Sequence, residues 1–328
     1  MTELDVTGIG NAIVDVLTQA DDAFISNEGL HKGGMALIDA ARAEALYAKM
    51  GSGLEVSGGS AANTMAGIAS LGGKGAFIGK VADDQLGEVF RHDIQAVGTT
   101  FDTAALSGGA PTARCLILVT PDAQRTMSTF LGACQDLGPD DIDEAVIRKS
   151  KVTYLEGYLW DPPKAKEAFL KAAEIAHAAG NKVALSLSDA FCVDRHRASF
   201  LELIDGHVDI VFANETEITS LFEVNSFDEA AKAIAGKVEV AALTKGEEGS
   251  VVLAGGETVA IPAAPIDKLV DTTGAGDLYA GGFLYGYCRG LSSYDCGRIG
   301  SLAAGEVISH FGARPEVSLK SLLPSDLG

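Results

Sequence analysis

The chain has 328 residues, 47 % of them apolar, enough to bury one large α/β core with an appendage, or two domains. It sets 25 Lys and Arg against 45 Asp and Glu, a net charge of −20, which argues against nucleic acid or an anionic membrane as partner, since both are polyanions. The start has no basic and apolar leader pattern, no apolar run reaches membrane-spanning length, and Cys115, Cys134, Cys192, Cys288 and Cys296 lack metal-ligand spacing, so a cytoplasmic protein with free, buried thiols is expected.

Residues 4–17 alternate as a strand. Gly8-Ile9-Gly10 invites a dinucleotide reading, but Ile13 stands where the third glycine belongs, and no Walker-type loop exists anywhere. Asn11 and Asp15 near the strand's end read either as turn residues or as a hydroxyl-binding pair at the carboxyl edge of a sheet. Residues 20–39 read as peripheral strand and loop, and 40–49 as helix. Ser57 to Asn63 then leads into an apolar run that Gly72 stops, with Ser60 as the expected helix cap. Gly58 and Gly59 let backbone approach a ligand, and Asn63 in the first turn suits a sugar hydroxyl; the alternative is a tight strand-to-helix turn. Residues 74–81 read as strand and 84–97 as an amphipathic helix. The runs 113–120 and 125–131 flank Pro121-Asp122 as a hairpin. With 20–39 they predict a small sheet outside the main domain, placed as a lid over a site that excludes water.

From Gly138 the pattern is regular. Helices are predicted over 139–150, 163–179 and 195–204, and strands over 152–155, 183–187 and 208–212. Such alternation predicts βαβ units and a mostly parallel sheet covered on both faces. Asn214 with Glu217 fits a capping box; read functionally, Glu217 orients water on Mg²⁺. The strand at 240–243 runs into Thr244-Lys245-Gly246-Glu247-Glu248-Gly249, either a hairpin turn before the strands 250–253 and 259–261 or a cover for phosphates. Asp271-Thr272-Thr273-Gly274-Ala275-Gly276-Asp277 precedes a helix-like stretch. If Gly274, Ala275 and Gly276 open that helix, unpaired N–H groups and the helix dipole make an anion hole, with Asp277 beside it to take a proton from a hydroxyl. The alternative is a plain glycine-rich helix entry. Two helical segments follow, broken at Gly312-Ala313-Arg314-Pro315. The six histidines fall in none of these motifs, which excludes a Ser-His-Asp or Cys-His centre.

Gly58-Gly59-Ser60-Ala61-Ala62-Asn63, Asn214-x-x-Glu217 and Asp271 to Asp277, in that order across essentially the whole chain, resemble the ribokinase-type (PfkB) carbohydrate and nucleoside kinases. Within that family the chain looks most like the adenosine-kinase branch, through Gly10-Asn11 to Asp15, Pro111 to Cys115, Glu156-Gly157-Tyr158 and Leu185 to Asp189. The resemblance implies an α/β ribokinase-like fold: a three-layer αβα domain with a mostly parallel central sheet over 1–14, 41–98 and 131–328, and a small β-sheet lid over 15–40 and 99–130. It implies Asp277 as base, Gly274, Ala275 and Gly276 as anion hole, and Arg125 reaching the transferring phosphate. Asn11, Asp15, Gly58, Gly59 and Asn63 would hold the acceptor's hydroxyls, with Tyr158 stacking on a base. Asn214, Thr244, Gly246 and Gly249 would line the ATP site. Glu217 would hold Mg²⁺ through water, and Asp271 and Thr273 would help bind K⁺. The expected activity is ATP-dependent phosphorylation of a nucleoside 5′-hydroxyl, adenosine foremost, by a monomer or homodimer. The rivals are another acceptor, such as ribose, fructose or a different nucleoside, and a nucleoside-binding sensor without turnover.

Overall fold

The computed structural model describes residues 3–122 and 124–327. In chain order its strands are β1 (Leu4–Ile9), β2 (Ile13–Gln19), β3 (Met35–Leu37), β4 (Leu54–Gly58), β5 (Gly75–Ile78), β6 (Thr99–Thr100), β7 (Ala113–Val119), β8 (Arg125–Phe130), β9 (Ser150–Glu156), β10 (Lys182–Ser186), β11 (Ile210–Asn214), β12 (Val240–Thr244), β13 (Ser250–Ala254) and β14 (Glu257–Ile261). They form two sheets. The large one runs β14-β13-β12-β11-β10-β9-β1-β5-β6, parallel from β12 to β6, with β13 and β14 added antiparallel. The small one runs β3-β8-β7-β2-β4.

The large sheet is buried on both faces, as its unbroken apolar strands require. Alternate residues face opposite cores. Ile9, Leu155, Leu185, Val211 and Leu243 pack under the helices Pro163–Ala178, Ala190–His207 and Glu215–Phe222. Val6, Tyr154, Ala184, Ile210 and Phe212 pack under the helices Ser60–Ser70, Gln85–Ala96 and Ala275–Tyr287. Each fully buried Phe, Leu or Ile contributes about 1.5–3 kcal/mol through burial.

Several boundaries differ from those read in the sequence. The strand expected over 4–17 is two strands in two sheets, because the chain turns at Gly10, where a Cβ would fall 2.7 Å from the Ala61 methyl and closer still to Glu156. β4 belongs to the small sheet, paired antiparallel with β2, although 41–98 was assigned to the large unit; β6, assigned to the lid, extends the large sheet. Residues 20–39 contain a helix, Asp22–Asn27, started by the Asp21 carboxylate accepting from the Phe24 N–H. The stretch 139–150 is a short 3₁₀ turn followed by the helix Glu144–Lys149 that Asp143 caps. The helix expected over 195–204 starts earlier, at Ala190, because Asp189 caps it. All five cysteines are free, four buried and Cys288 half-buried. Among the described residues no helix is long and apolar enough to cross a membrane.

β1 lies between β9 and β5, so the connections leaving its carboxyl end and that of β9 diverge. A crevice opens at such a switch point. The chain crosses from large to small sheet at 10–12 and back at Gly59. The two crossings touch: Gly59 has φ +95°, and a Cβ there would sit 2.2 Å from the Asn11 carbonyl oxygen.

Candidate active site

Two helices start in this crevice. Ser60–Ser70 follows β4, and its cap is Gly59, not Ser60. Ser60 is freed for another contact: its hydroxyl donates to Asp277 Oδ1 at 2.6 Å. Asn63 Nδ2 donates to Asp277 Oδ2 at 3.0 Å. The carboxylate of Asp277 is thus fixed by two donors from the neighbouring helix. That helix can come close because the Ala275–Tyr287 helix carries Gly281, one turn after Asp277, where a Cβ would lie 2.8 Å from the Thr64 carbonyl oxygen. Gly282 plays the same part on the other side, against the Ile299 carbonyl oxygen of the Ser293–Val307 helix.

Gly274 caps the Ala275–Tyr287 helix with φ +80°, pressed against Ala313, to which a Cβ would come within 2.9 Å. The Ala275 N–H donates to the Thr272 carbonyl at 3.2 Å, so it does not serve the anion hole in the way expected. The first helical N–H with an intrahelical acceptor is that of Leu278, bonded to the Gly274 carbonyl. The N–H groups of Gly276 and Asp277 are the two left for an anion, and Gly276 is exposed with open space at its Cα. Burial pushes the Asp277 carboxyl above the usual range, and the bonds from Ser60 and Asn63 pull against that.

Asp15, third residue of β2, leans over the crevice from the lid, its Oδ2 within 2.4 Å of where a Gly58 Cβ would be. Burial pushes its carboxyl to about 6, opposed by the charges of Arg314 and Arg125 and reinforced by Asp277. Asn11 is 2 % exposed, and its Nδ2 donates to Glu156 Oε1 at 2.7 Å, so it lies behind the crevice wall instead of in it. Glu156 is 1 % exposed and also accepts from the Ala61 N–H at 2.8 Å, tying the end of β9 to the first turn of the Ser60–Ser70 helix. Burial lifts its carboxyl to about 7 against these bonds.

Arg125 reaches from β8 to the Asp271 carboxylate at 2.7 Å and lies over the Phe311 ring. It is an ion pair without aligned hydrogen bonds, since Nε and Nη2 have no aligned acceptor. Asp271 Oδ1 accepts from Thr273 N and Oγ1, and Oδ2 from the Gly312 N–H. The side chains of Asp271 and Thr273 are committed to each other and to an arginine, which does not fit the expected K⁺ role for those side chains.

At the other end of the crevice, Asn214 caps the Glu215–Phe222 helix and closes a capping box with Glu217. Glu217 is 6 % exposed; burial lifts it to about 7, opposed by the Asn214 N–H and reinforced by Asp189 and Asp277. The negative charges of Asp189 and Asp277 both act on Glu217, and a divalent cation beside it would relieve that repulsion. Tyr158, 37 % exposed, faces the same charges: burial, then Asp189, Asp277 and Glu217 push its phenol up. Thr244 ends β12, and Gly246 (φ +56°) has open space around it. Gly249 has a different duty from the expected lining role. A Cβ there would be 2.1 Å from the Ile261 carbonyl oxygen, so glycine is needed where the chain entering β13 passes the end of β14.

Sequence reasoning missed Glu156, Asp189, Arg314 and the part of Ser60. Glu156 and Arg314 carry no local motif. Asp189 carried a signal that went unread, a helix cap three residues before Cys192.

The comparisons agree with this architecture. The pfkB family carbohydrate kinase pattern matches residues 34–319. A solved structure described as adenosine kinase from Sinorhizobium meliloti is 55 % identical, with TM-score 0.90 and 98 % of each chain covered. One described as a probable sugar kinase from Rhizobium etli CFN 42 is 52 % identical, with TM-score 0.91 and the same coverage. Adenosine kinase 2 of Arabidopsis thaliana is 27 % identical over 93 % of this chain and 94 % of its own. The chain therefore belongs to the pfkB family of carbohydrate kinases, phosphotransferases that act on a hydroxyl acceptor.

Proposed function

We propose that the chain transfers the γ-phosphate of ATP to the 5′-hydroxyl of a nucleoside, adenosine foremost, giving AMP and ADP. The observation that carries this reading is the Asp277 carboxylate, fixed by Ser60 and Asn63 beside the free N–H groups of Gly276 and Asp277. Asp277 takes the proton of the attacking hydroxyl, and its raised proton affinity makes it a better base than an ordinary carboxylate. The two N–H groups at the positive end of the helix stabilise charge that grows on the phosphoryl oxygens. Arg125, within reach of the same helix mouth, adds a cation from the lid. Asp15 and Gly59 hold the acceptor's other hydroxyls, and Tyr158 offers its ring to a base. Asn214, Thr244 and Gly246 line the ATP end. Glu217 would hold Mg²⁺, which would supply charge neutralisation on the phosphates.

The half-identical structure named adenosine kinase supports the choice of acceptor. The probable sugar kinase of similar identity favours a second reading, a sugar as acceptor. A panel of adenosine, other nucleosides, ribose and fructose, read by ADP release, decides between them. Turnover of ribose or fructose with nucleosides ignored removes the nucleoside reading. Nucleoside-dependent rise in Tm with no ADP release from any acceptor leaves a binding protein instead of a kinase.

A further inference from the structure

Four consecutive residues, Phe311 to Arg314, each touch a residue of the crevice. The Arg125 guanidinium lies over the Phe311 ring, 5.5 Å from its centre, and the Gly312 N–H donates to Asp271 Oδ2 at 3.1 Å. Ala313 packs on Gly274, the cap of the Ala275–Tyr287 helix, and Arg314 Nε lies 3.4 Å from Asn63 Oδ1. Both ends of this loop are tied to one side chain. Glu306, in the last turn of the Ser293–Val307 helix, has a side chain only 8 % exposed. Its Oε1 accepts from His310 Nε2 at 3.2 Å, just before the four residues. The same oxygen accepts from the N–H groups of Glu316 and Val317 at 3.0 and 3.2 Å, just after them. Its Oε2 is buried with no hydrogen-bond partner among the described residues.

The contacts of the His310 ring fix its charge. Nδ1 faces the Phe311 carbonyl oxygen at 3.2 Å, while Nε2 faces Glu306 Oε1, which already accepts from two backbone N–H groups. A carbonyl and an ionised carboxylate only accept, and a neutral imidazole carries a single N–H. Making both bonds therefore requires the imidazolium. Its other near charge is the Glu316 carboxylate, 3.8 Å from Nδ1, and no further acid lies within 4.0 Å among the described residues. Burial pulls the pKa of His310 down, but the Phe311 carbonyl, Glu306 and Glu316 outweigh it, so it lies above the ordinary histidine value. A carboxylate buried with one oxygen unmatched depends on that positive partner. We infer that Glu306 and the His310 imidazolium are positioning residues for phosphoryl transfer: they clasp the loop that holds Asp271, Gly274 and Asn63 in place, and the clasp loosens when His310 loses its proton. The inference rests on the reading of the Gly274 to Asp277 helix mouth as the reacting centre.

The test measures kcat and KM of the full chain by ADP release from about pH 6 to about pH 9, either side of the histidine range. It uses ATP, Mg²⁺ and the acceptor that the panel selects, in the wild type, His310→Gln and Glu306→Gln. His310→Gln keeps a donor for Glu306 and does not titrate. In the wild type kcat should fall as pH rises, with a midpoint above the ordinary histidine value of 6.5 and below the lysine and tyrosine range near about 10. Both KM values should change by less than about threefold. His310→Gln should lack this fall. Glu306→Gln should lower kcat by about 10- to 100-fold in the acid half of the range, the scale on which a small misplacement of reacting groups acts. The ring titration of His310, followed by NMR and assigned by its loss in His310→Gln, should move to lower pH in Glu306→Gln, because the partner's charge is gone. Parallel pH profiles in the wild type and His310→Gln would overturn the inference. So would a Glu306→Gln enzyme with a lower Tm but an unchanged kcat, the mark of a merely structural carboxylate, or a His310 ring that titrates at the same pH with and without the Glu306 charge. If Glu306→Gln does not fold, judged by its melting curve, the profiles of the wild type and His310→Gln decide alone. If no acceptor of the panel yields ADP, the proposed function and this inference fall together, whereas turnover with parallel profiles sinks this one alone.

Discussion

The two ends of the crevice are held together in opposite ways. At the end proposed for the acceptor, the contacts that fix side chains join residues far apart in the chain: 145 positions between Asn11 and Glu156, 214 between Asn63 and Asp277, 251 between Asn63 and Arg314. At the end proposed for the nucleotide, Asn214 and Glu217 hold each other across three residues, and the 244–249 turn closes on itself through the Lys245 N–H and the Gly249 carbonyl. The difference teaches that the acceptor end exists only when the whole fold is assembled, while the nucleotide end is a pair of local motifs carried on finished strands. Disturbances of packing should therefore reach the acceptor end first.

The largest effect should come from the centre of the long-range network. Asp277→Asn keeps the size of the side chain and removes the base, so kcat should fall by about two to four powers of ten, with the rise in Tm on adding nucleoside nearly intact. Turnover close to normal would remove Asp277 from the chemistry. Gly281→Ala probes the same centre without touching it. Its new methyl would meet the Thr64 carbonyl at 2.8 Å and push apart the two helices that bring Asp277 to Ser60 and Asn63. The expected loss is about 1–3 kcal/mol of stability and about a hundredfold in kcat, because small misplacements of a reacting group are that costly. KM for ATP should hardly move. A fall in ATP affinity as large as the fall in kcat would mean that the two ends are not independent.

How much of this was legible in the sequence follows the same division. The capping box at Asn214, the helix mouth at Gly274 to Asp277 and the parallel sheet from Gly138 onward are set by residues close in sequence, so propensity and spacing reveal them. The reading of Ser60 as a cap failed because its hydroxyl has a better partner, Asp277, across the crevice, which no local rule announces. β4 went unread as a strand, and 41–98 was placed whole in the large unit, because nothing local shows that Leu54–Gly58 pairs with β2 in the small sheet. Glu156 was named only as part of the Glu156-Gly157-Tyr158 stretch and was given no role of its own. Only the tertiary contact, with Gly10 leaving room for its carboxylate, explains why an acid is buried there. Gly249 illustrates the converse: a glycine in a suggestive turn whose necessity is purely a matter of backbone packing.

Glu156 gives a smaller but sharper test, in pH. Its carboxyl is raised from the ordinary carboxylate value to about 7 in the folded chain, so the folded state binds a proton that the unfolded state has released. Its contribution to stability is complete below the unfolded value, near 4.5, and is lost as pH rises to about 7. The loss over that window is of the order of 3 kcal/mol, by the free energy that accompanies such a change in proton affinity. Glu156→Gln keeps an acceptor for the Ala61 N–H and does not titrate. Melting curves between pH 4.5 and 7 should therefore be flatter for the variant than for the wild type. Parallel curves would mean that Glu156 stays ionised throughout and that its bonds from Asn11 and Ala61 outweigh its burial.

The smallest effect should come from the nucleotide end. Asn214→Ala removes the oxygen that accepts from the Glu217 N–H, a cap for a helix of only eight residues. Such a loss typically costs about 1 kcal/mol. It also releases the Glu217 carboxylate from Asn214 Nδ2, so KM for ATP with Mg²⁺ should rise. Because the capping pair reaches no residue of the Asp277 network by hydrogen bond, KM for adenosine should stay within about threefold of the wild type. The measurement that matters is the ratio of the two KM changes. If adenosine binding weakens as much as ATP binding, the charge shared among Glu217, Asp189 and Asp277 couples the ends through the crevice itself, and locality of hydrogen bonding is then the wrong guide to how this site is divided.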